Sequence, residues 1–119
     1  MLRSPDFLTP LEAAVITVIL DGLPTSGDCF RTQIEASQLV SRKYTGYGFF
    51  TTVSVSGDIS SCSLLNAQLL AKALVDGQLC GFILWIKDGR IDCLEGYPLG
   101  GDSWPEYETF QQVENMRSS

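Results

Sequence analysis

A chain of 119 residues, 45% hydrophobic and 18% charged, has room for one core of ordinary size and is too apolar to stay disordered, so residues 1–119 read as a single domain. Eight Lys+Arg against 14 Asp+Glu leave a net charge of −6, and no basic cluster exceeds Arg42-Lys43. Phosphate binding gains free energy by releasing counterions to a basic patch, so neither nucleic acid nor an anionic membrane surface is an expected partner. The chain has no histidine, which removes histidine-based triads, zinc helices and proton shuttles.

Thr9-Pro10-Leu11-Glu12 predicts a helix start in three ways: a Thr cap, Pro at the first helical position and Glu placed to close a capping box. Leu11, Val15, Val18 and Ile19 line one face as far as Asp21-Gly22, and Ala13, Ile16 and Leu20 widen the apolar surface. A second, shorter helix is expected from Asp28 to about Glu35, supported by Phe30 and Ile34. From Ser37 the composition turns β-branched and aromatic, with Thr45-Gly46-Tyr47-Gly48 as flexible backbone between two runs, which predicts a hairpin near 37–56. On its second strand Phe49, Thr51, Val53 and Val55 share a face and should look into the core. Residues 63–75 fit either a strand or a helix, with the strand favoured.

The clearest signal runs over 78–97, two apolar stretches joined by Asp88-Gly89, the dipeptide suited to a two-residue hairpin turn. An unbroken register places Lys87 opposite Arg90, Ile86 opposite Ile91 and Leu84 opposite Cys93. One face then carries Phe82, Leu84, Ile86, Ile91, Cys93 and Glu95, the other Ile83, Trp85, Asp92 and Leu94. Both are largely apolar, so this hairpin is expected to be central in its sheet or covered on both sides. Residues 104–116 fit a helix capped by Ser103 or an edge strand over 109–113. The sum is an α+β fold, an antiparallel sheet of about five strands with one or two N-terminal helices packed on it.

The cysteines, Cys29, Cys62, Cys80 and Cys93, form no Cys-x-x-Cys pair, so no zinc ribbon or thioredoxin-like motif is available. Asp6, Pro10, Glu12 and Asp21 interrupt the N-terminal apolar run, which excludes a signal peptide or membrane span from the reading. The expected compartment is therefore the cytoplasm, where all four thiols would stay free.

The string from Ser41 to Thr51, the run Gly81-Phe82-Ile83-Leu84, and Leu94-Glu95-Gly96-Tyr97 followed by Trp104-Pro105 together resemble a group of small bacterial proteins of unknown function. The resemblance implies an intracellular bacterial source and an α+β fold with an antiparallel sheet. It transfers no activity and no catalytic residue. Tyr47 stands between the two glycines where the group has a small aliphatic residue.

Glu95 is the residue with the most chemistry to offer. In the expected register it lies among Phe82, Leu84 and Cys93, where a carboxylate needs a partner such as Arg42, a solvated strand end or a raised pKa. Tyr97 follows on the same face, and Trp104 and Tyr107 add aromatic surface. Glu95, Tyr97, Trp104 and Tyr107 are thus the candidate binding residues, with Trp85 as a further member of an aromatic wall; the same rings also serve as core or loop-anchoring bulk. Gly46 and Gly48 lack the spacing and lysine of a phosphate loop. Asp88, Asp92, Asp102 and Glu106 match no calcium loop. No catalytic residue, cofactor or metal is implied. The reading is a non-enzymatic acidic interaction domain, accessory or immunity-like, for a basic protein partner. A small-ligand binder and an enzyme using Glu95 and Tyr97 as acid and base are the alternatives.

Overall fold

The computed structural model describes residues 5–100 and 103–116. Helices α1 (Pro10–Asp21) and α2 (Gly27–Glu35) precede six strands, β1 (Gln38–Tyr44), β2 (Phe49–Ser54), β3 (Ala67–Val75), β4 (Gln78–Lys87), β5 (Arg90–Pro98) and β6 (Phe110–Met116). The strands form one antiparallel sheet in the order β1-β2-β5-β4-β3-β6. The α+β fold is as expected, with six strands instead of about five. Residues 67–75 form a strand, and 110–116 add the edge strand left open above.

Local chemistry starts α1 as its sequence predicts. Thr9 caps the helix and accepts from the Glu12 amide, while the Glu12 carboxylate accepts from the Thr9 amide. Leu11, Val15, Ile16, Ile19 and Leu20 are buried against the sheet, joined by Phe30 and Ile34 of α2. From the sheet come Phe49, Val53, Ala71, Ala73, Val75, Phe82, Leu84, Ile86, Ile91 and Leu94. Phe49, Thr51 and Val53 face inward as the alternation of β2 requires.

Glu12 does more than close a cap. It is 2% exposed, and its carboxylate takes Nε of Arg42 at 3.1 Å, a second guanidinium nitrogen, and the Thr51 hydroxyl. Arg42 also donates to the Phe7 carbonyl. The helix start is thereby tied to β1 and β2. Arg42 is therefore not available to Glu95, a correction to the pairing considered from sequence.

Both β3-β4 and β4-β5 connect through Asp-Gly turns. Asp76 and Gly77, like Asp88 and Gly89, all have φ between 50° and 78°, the left-handed pair that such turns demand. Beyond the second turn the expected register fails. Ile86 faces Ile91, but Trp85 faces Cys93, Leu84 faces Leu94 and Ile83 faces Glu95, because a β-bulge places Asp92 outside the ladder. Without the bulge, Cys93 and Glu95 would point into the core beside Ile91. With it, Ile91 and Leu94 are both buried and Glu95 turns to the other face. Burying a leucine stabilises by about 2 kcal/mol, whereas an unpaired carboxylate in the same place costs more than that. The bulge follows from this difference.

The expectation of four free thiols is also corrected. Cys29 of α2 and Cys62 of the 55–66 connection form a disulfide with Cα atoms 6.0 Å apart, while Cys80 and Cys93 are free. Spacing gave no sign of it: the bond spans 33 residues and joins elements that meet only in the fold. Gln33, fully buried, supports the join. Its amide donates to the carbonyls of Ser60 and Gly89 and to Cys62 Sγ, and its oxygen accepts from the Ile91 amide. A bond of this kind persists in oxidising surroundings, which the cytoplasmic expectation does not provide. Among the described residues no helix is long and apolar enough to cross a membrane.

Three measurements check this frame. Thiol titration of the denatured, unreduced protein should find two reactive groups, and in the folded protein Cys80 should stay unreactive, since burial pushes its thiol up to about 11. Reduction should lower stability by about 3 to 4 kcal/mol, the loop-closure entropy of a bridge spanning 33 residues. Glu12→Gln should cost about 3 kcal/mol in denaturant melts, because Arg42 is left partly buried beside a neutral side chain.

Candidate functional site

The four candidate residues fall on opposite sides of the sheet. Helices cover one face, and the other carries Phe50, Thr52, Leu70, Lys72, Leu74, Ile83, Trp85, Cys93, Glu95 and Tyr97 with no element of the described chain upon it. Glu95 and Tyr97 belong to this uncovered face. Trp104 belongs to the helix side, on the loop that leads into β6, and Tyr107 follows on the same loop, largely exposed. The four side chains do not form one wall, and Trp85 shares the uncovered face with Glu95 and Tyr97.

On the uncovered face, Glu95 accepts from the Trp85 indole at 3.1 Å. Tyr97 lies over Gly81, where a Cβ would meet its ring at 2.5 Å, so only glycine permits the ring to lie flat there. Partial burial raises the Tyr97 phenol above its ordinary value, and the charge of Glu95 adds to the rise. Thr45, Tyr47, Gly48, Phe50 and Ile83 complete a mostly apolar groove of about 320 Å³ around these two residues.

The second cluster lies at the end of the sheet near the β1-β2 turn. Trp104 packs edge-on against Phe49 and Phe82, with ring centroids 5.0 and 6.0 Å away. Its amide donates to the Gly46 carbonyl, which pins the loop to the turn. Glu108, at φ 55°, accepts from the Trp104 indole at 2.8 Å and from the Tyr44 hydroxyl at 3.2 Å, both on Oε2. Asp76 holds this loop by accepting from the amides of Tyr107 and Thr109. Desolvation opposes the charge on Asp76, but those backbone donors prevail and keep its carboxyl below the usual range. Tyr44, Gly46, Trp104, Pro105, Glu106 and Glu108 together enclose a groove of about 360 Å³.

The donors on Glu108 are neutral, so its charge is not cancelled by them. Arg42, whose charge Glu108 helps to hold, is engaged with Glu12. Tyr44 titrates above its ordinary value, through partial burial first and the Glu108 charge second. Tyr107, between Glu106 and Glu108 in the chain, is 79% exposed and does not line the groove. Sequence reading found Trp104 and Tyr107 but missed Tyr44 and Glu108. The string Trp104-Pro105-Glu106-Tyr107-Glu108 carried an aromatic-acidic signal, whereas nothing local could bring Tyr44 to it.

Among the described residues no group of three or more Asp, Glu, Cys or His is placed to hold a metal ion. Asp102, one of the carboxylates weighed as a calcium donor, lies outside the described residues. Replacing Glu95 with Gln should leave stability within about 0.5 kcal/mol, as for other half-exposed positions without an ion pair. The same change should lower the Tyr97 pKa in a spectroscopic titration without returning it fully, since burial is the larger cause. Comparison with protein-family models, with curated proteins and with solved structures finds no match for this chain.

Proposed function

We propose that the chain is a protein-interaction domain that receives a lysine or arginine side chain of a basic partner in the groove between Tyr44 and Trp104. The observation that carries this reading is the Glu108 carboxylate, held in place by two neutral donors between two aromatic rings. A cation entering such a groove meets an unneutralised carboxylate and ring faces at once, and each attraction strengthens as water is displaced. Glu106 adds a second negative charge at the rim. The net charge of −6 supports the same partner, because an acidic surface accelerates encounter with a basic one.

The test uses a short lysine- and arginine-rich peptide, with acetyl-arginine amide as the small-molecule control, followed through the two indole N–H signals. The peptide should move the Trp104 signal, and Glu108→Gln should weaken binding about tenfold, the loss of one charge-assisted contact. Binding should also weaken as salt rises. A Trp104 signal indifferent to the peptide, or an unchanged affinity in Glu108→Gln, would overturn the proposal. Equal affinity for the small amide would replace it with a small-ligand site.

A further inference from the structure

We infer that the uncovered face of the sheet seats the same face of a second copy of this chain. The inference is independent of the groove proposed above, which lies on the helix side, and either can fail without the other.

The face is apolar where a solvated sheet face would be polar. One row of cross-strand neighbours runs Phe50, Glu95, Ile83, Leu70, Met116 over five adjacent strands. Trp85 and Tyr97 flank this row, and Leu74 and Leu79 extend it toward the β3-β4 turn. Phe50 and Leu79 are 39% and 44% exposed. Contiguous apolar surface of this kind marks an interaction site.

Charge selects the occupant. Lys43, Lys72, Lys87 and Arg90 share the face with Asp92, Glu95 and Glu114, four basic residues against three acidic ones, so the face carries none of the acid excess of a chain of net charge −6. The described acid excess lies elsewhere: Asp6, Asp21, Asp28 and Glu35 on and before the helices, Asp58, Asp76, Asp88, Glu106 and Glu108 in loops and turns. A basic partner would gain nothing from a face without an acid excess, whereas a second copy brings the same mixture of signs and the same largely apolar row, in which Glu95 is the one charged member.

Area agrees with this occupant. Six strands at about 4.8 Å spacing and about seven shared residues at 3.4 Å rise give a face of about 700 Å². Two such faces bury about 1,400 Å², within the range of stable specific interfaces. Pairing along the sheet edges is less suited. β1 carries Arg42 and Lys43 and is interrupted by a bulge after Leu39, and β6 is bulged where it meets Lys72 and Leu74.

Light scattering across a dilution series tests the inference. The mass should be twice 13.0 kDa at roughly 100 µM and fall toward 13.0 kDa on dilution. Self-association should strengthen as salt rises, because screening relieves repulsion between two acidic chains; this is the opposite sign to peptide binding in the groove. Phe50→Glu and Leu70→Glu should each weaken it at least about tenfold while keeping the far-ultraviolet spectrum. Because a variant can fail to fold, the Trp85 indole signal of the unaltered protein is followed as well and should shift with concentration. A mass of 13.0 kDa at the highest concentration with an invariant Trp85 signal would overturn the inference. So would a mass beyond two copies, since face-to-face pairing closes on itself.

Discussion

The Glu12 carboxylate is the point on which the helix layer and the sheet depend together. It closes the cap of α1 through the Thr9 amide, and it holds Arg42 of β1 and the hydroxyl of Thr51 on β2. An ionised group this deeply buried is tolerable only when paired and fully hydrogen-bonded. Each partner therefore constrains the others: α1 cannot slide along the sheet, and β1 cannot slip against β2, without leaving a charge unmatched. The pairing also occupies Arg42, so that among the described residues no ion pair forms on Glu108 nearby.

A similar logic operates on α2 through a neutral group. Gln33 has all its polar atoms engaged, at the 55–66 connection and at the β4-β5 turn. The Cys29–Cys62 bond then makes the same join covalent. A long connection without secondary structure is held against the body by one amide side chain and one disulfide, and both act on the turn that precedes the β-bulge.

The bulge at Asp92 decides which surface chemistry the protein presents. It separates Leu94, which goes to the core, from Glu95 and Tyr97, which go to the uncovered face. An unbroken ladder would have put a carboxylate among the helices and a leucine on the outside. The sheet accepts a locally disrupted ladder because the alternative costs more. As a result β4 and β5 are central strands with an apolar residue on each face, yet only one face is covered within the chain.

How much of this was legible depends on how far apart the cooperating residues lie. Signals contained within a few residues were read correctly from sequence: the Thr9 to Glu12 capping box, the inward alternation of Phe49, Thr51 and Val53, and the turn at Asp88-Gly89. Each is a local preference of the backbone or a two-residue period, and tertiary contacts only reinforce it. The bulge was half legible, because Ile91 and Leu94 are spaced by three and cannot share a face of a regular strand. Choosing between Leu94 and Glu95 for the core, however, required knowing that helices cover that side. The Glu12 to Arg42 pair, the Cys29 to Cys62 bond and the meeting of Tyr44 with Trp104 and Glu108 had no local signal at all. They join residues 30, 33 and 60 or more positions apart, and only the packing of helices on a sheet of this strand order brings them within reach.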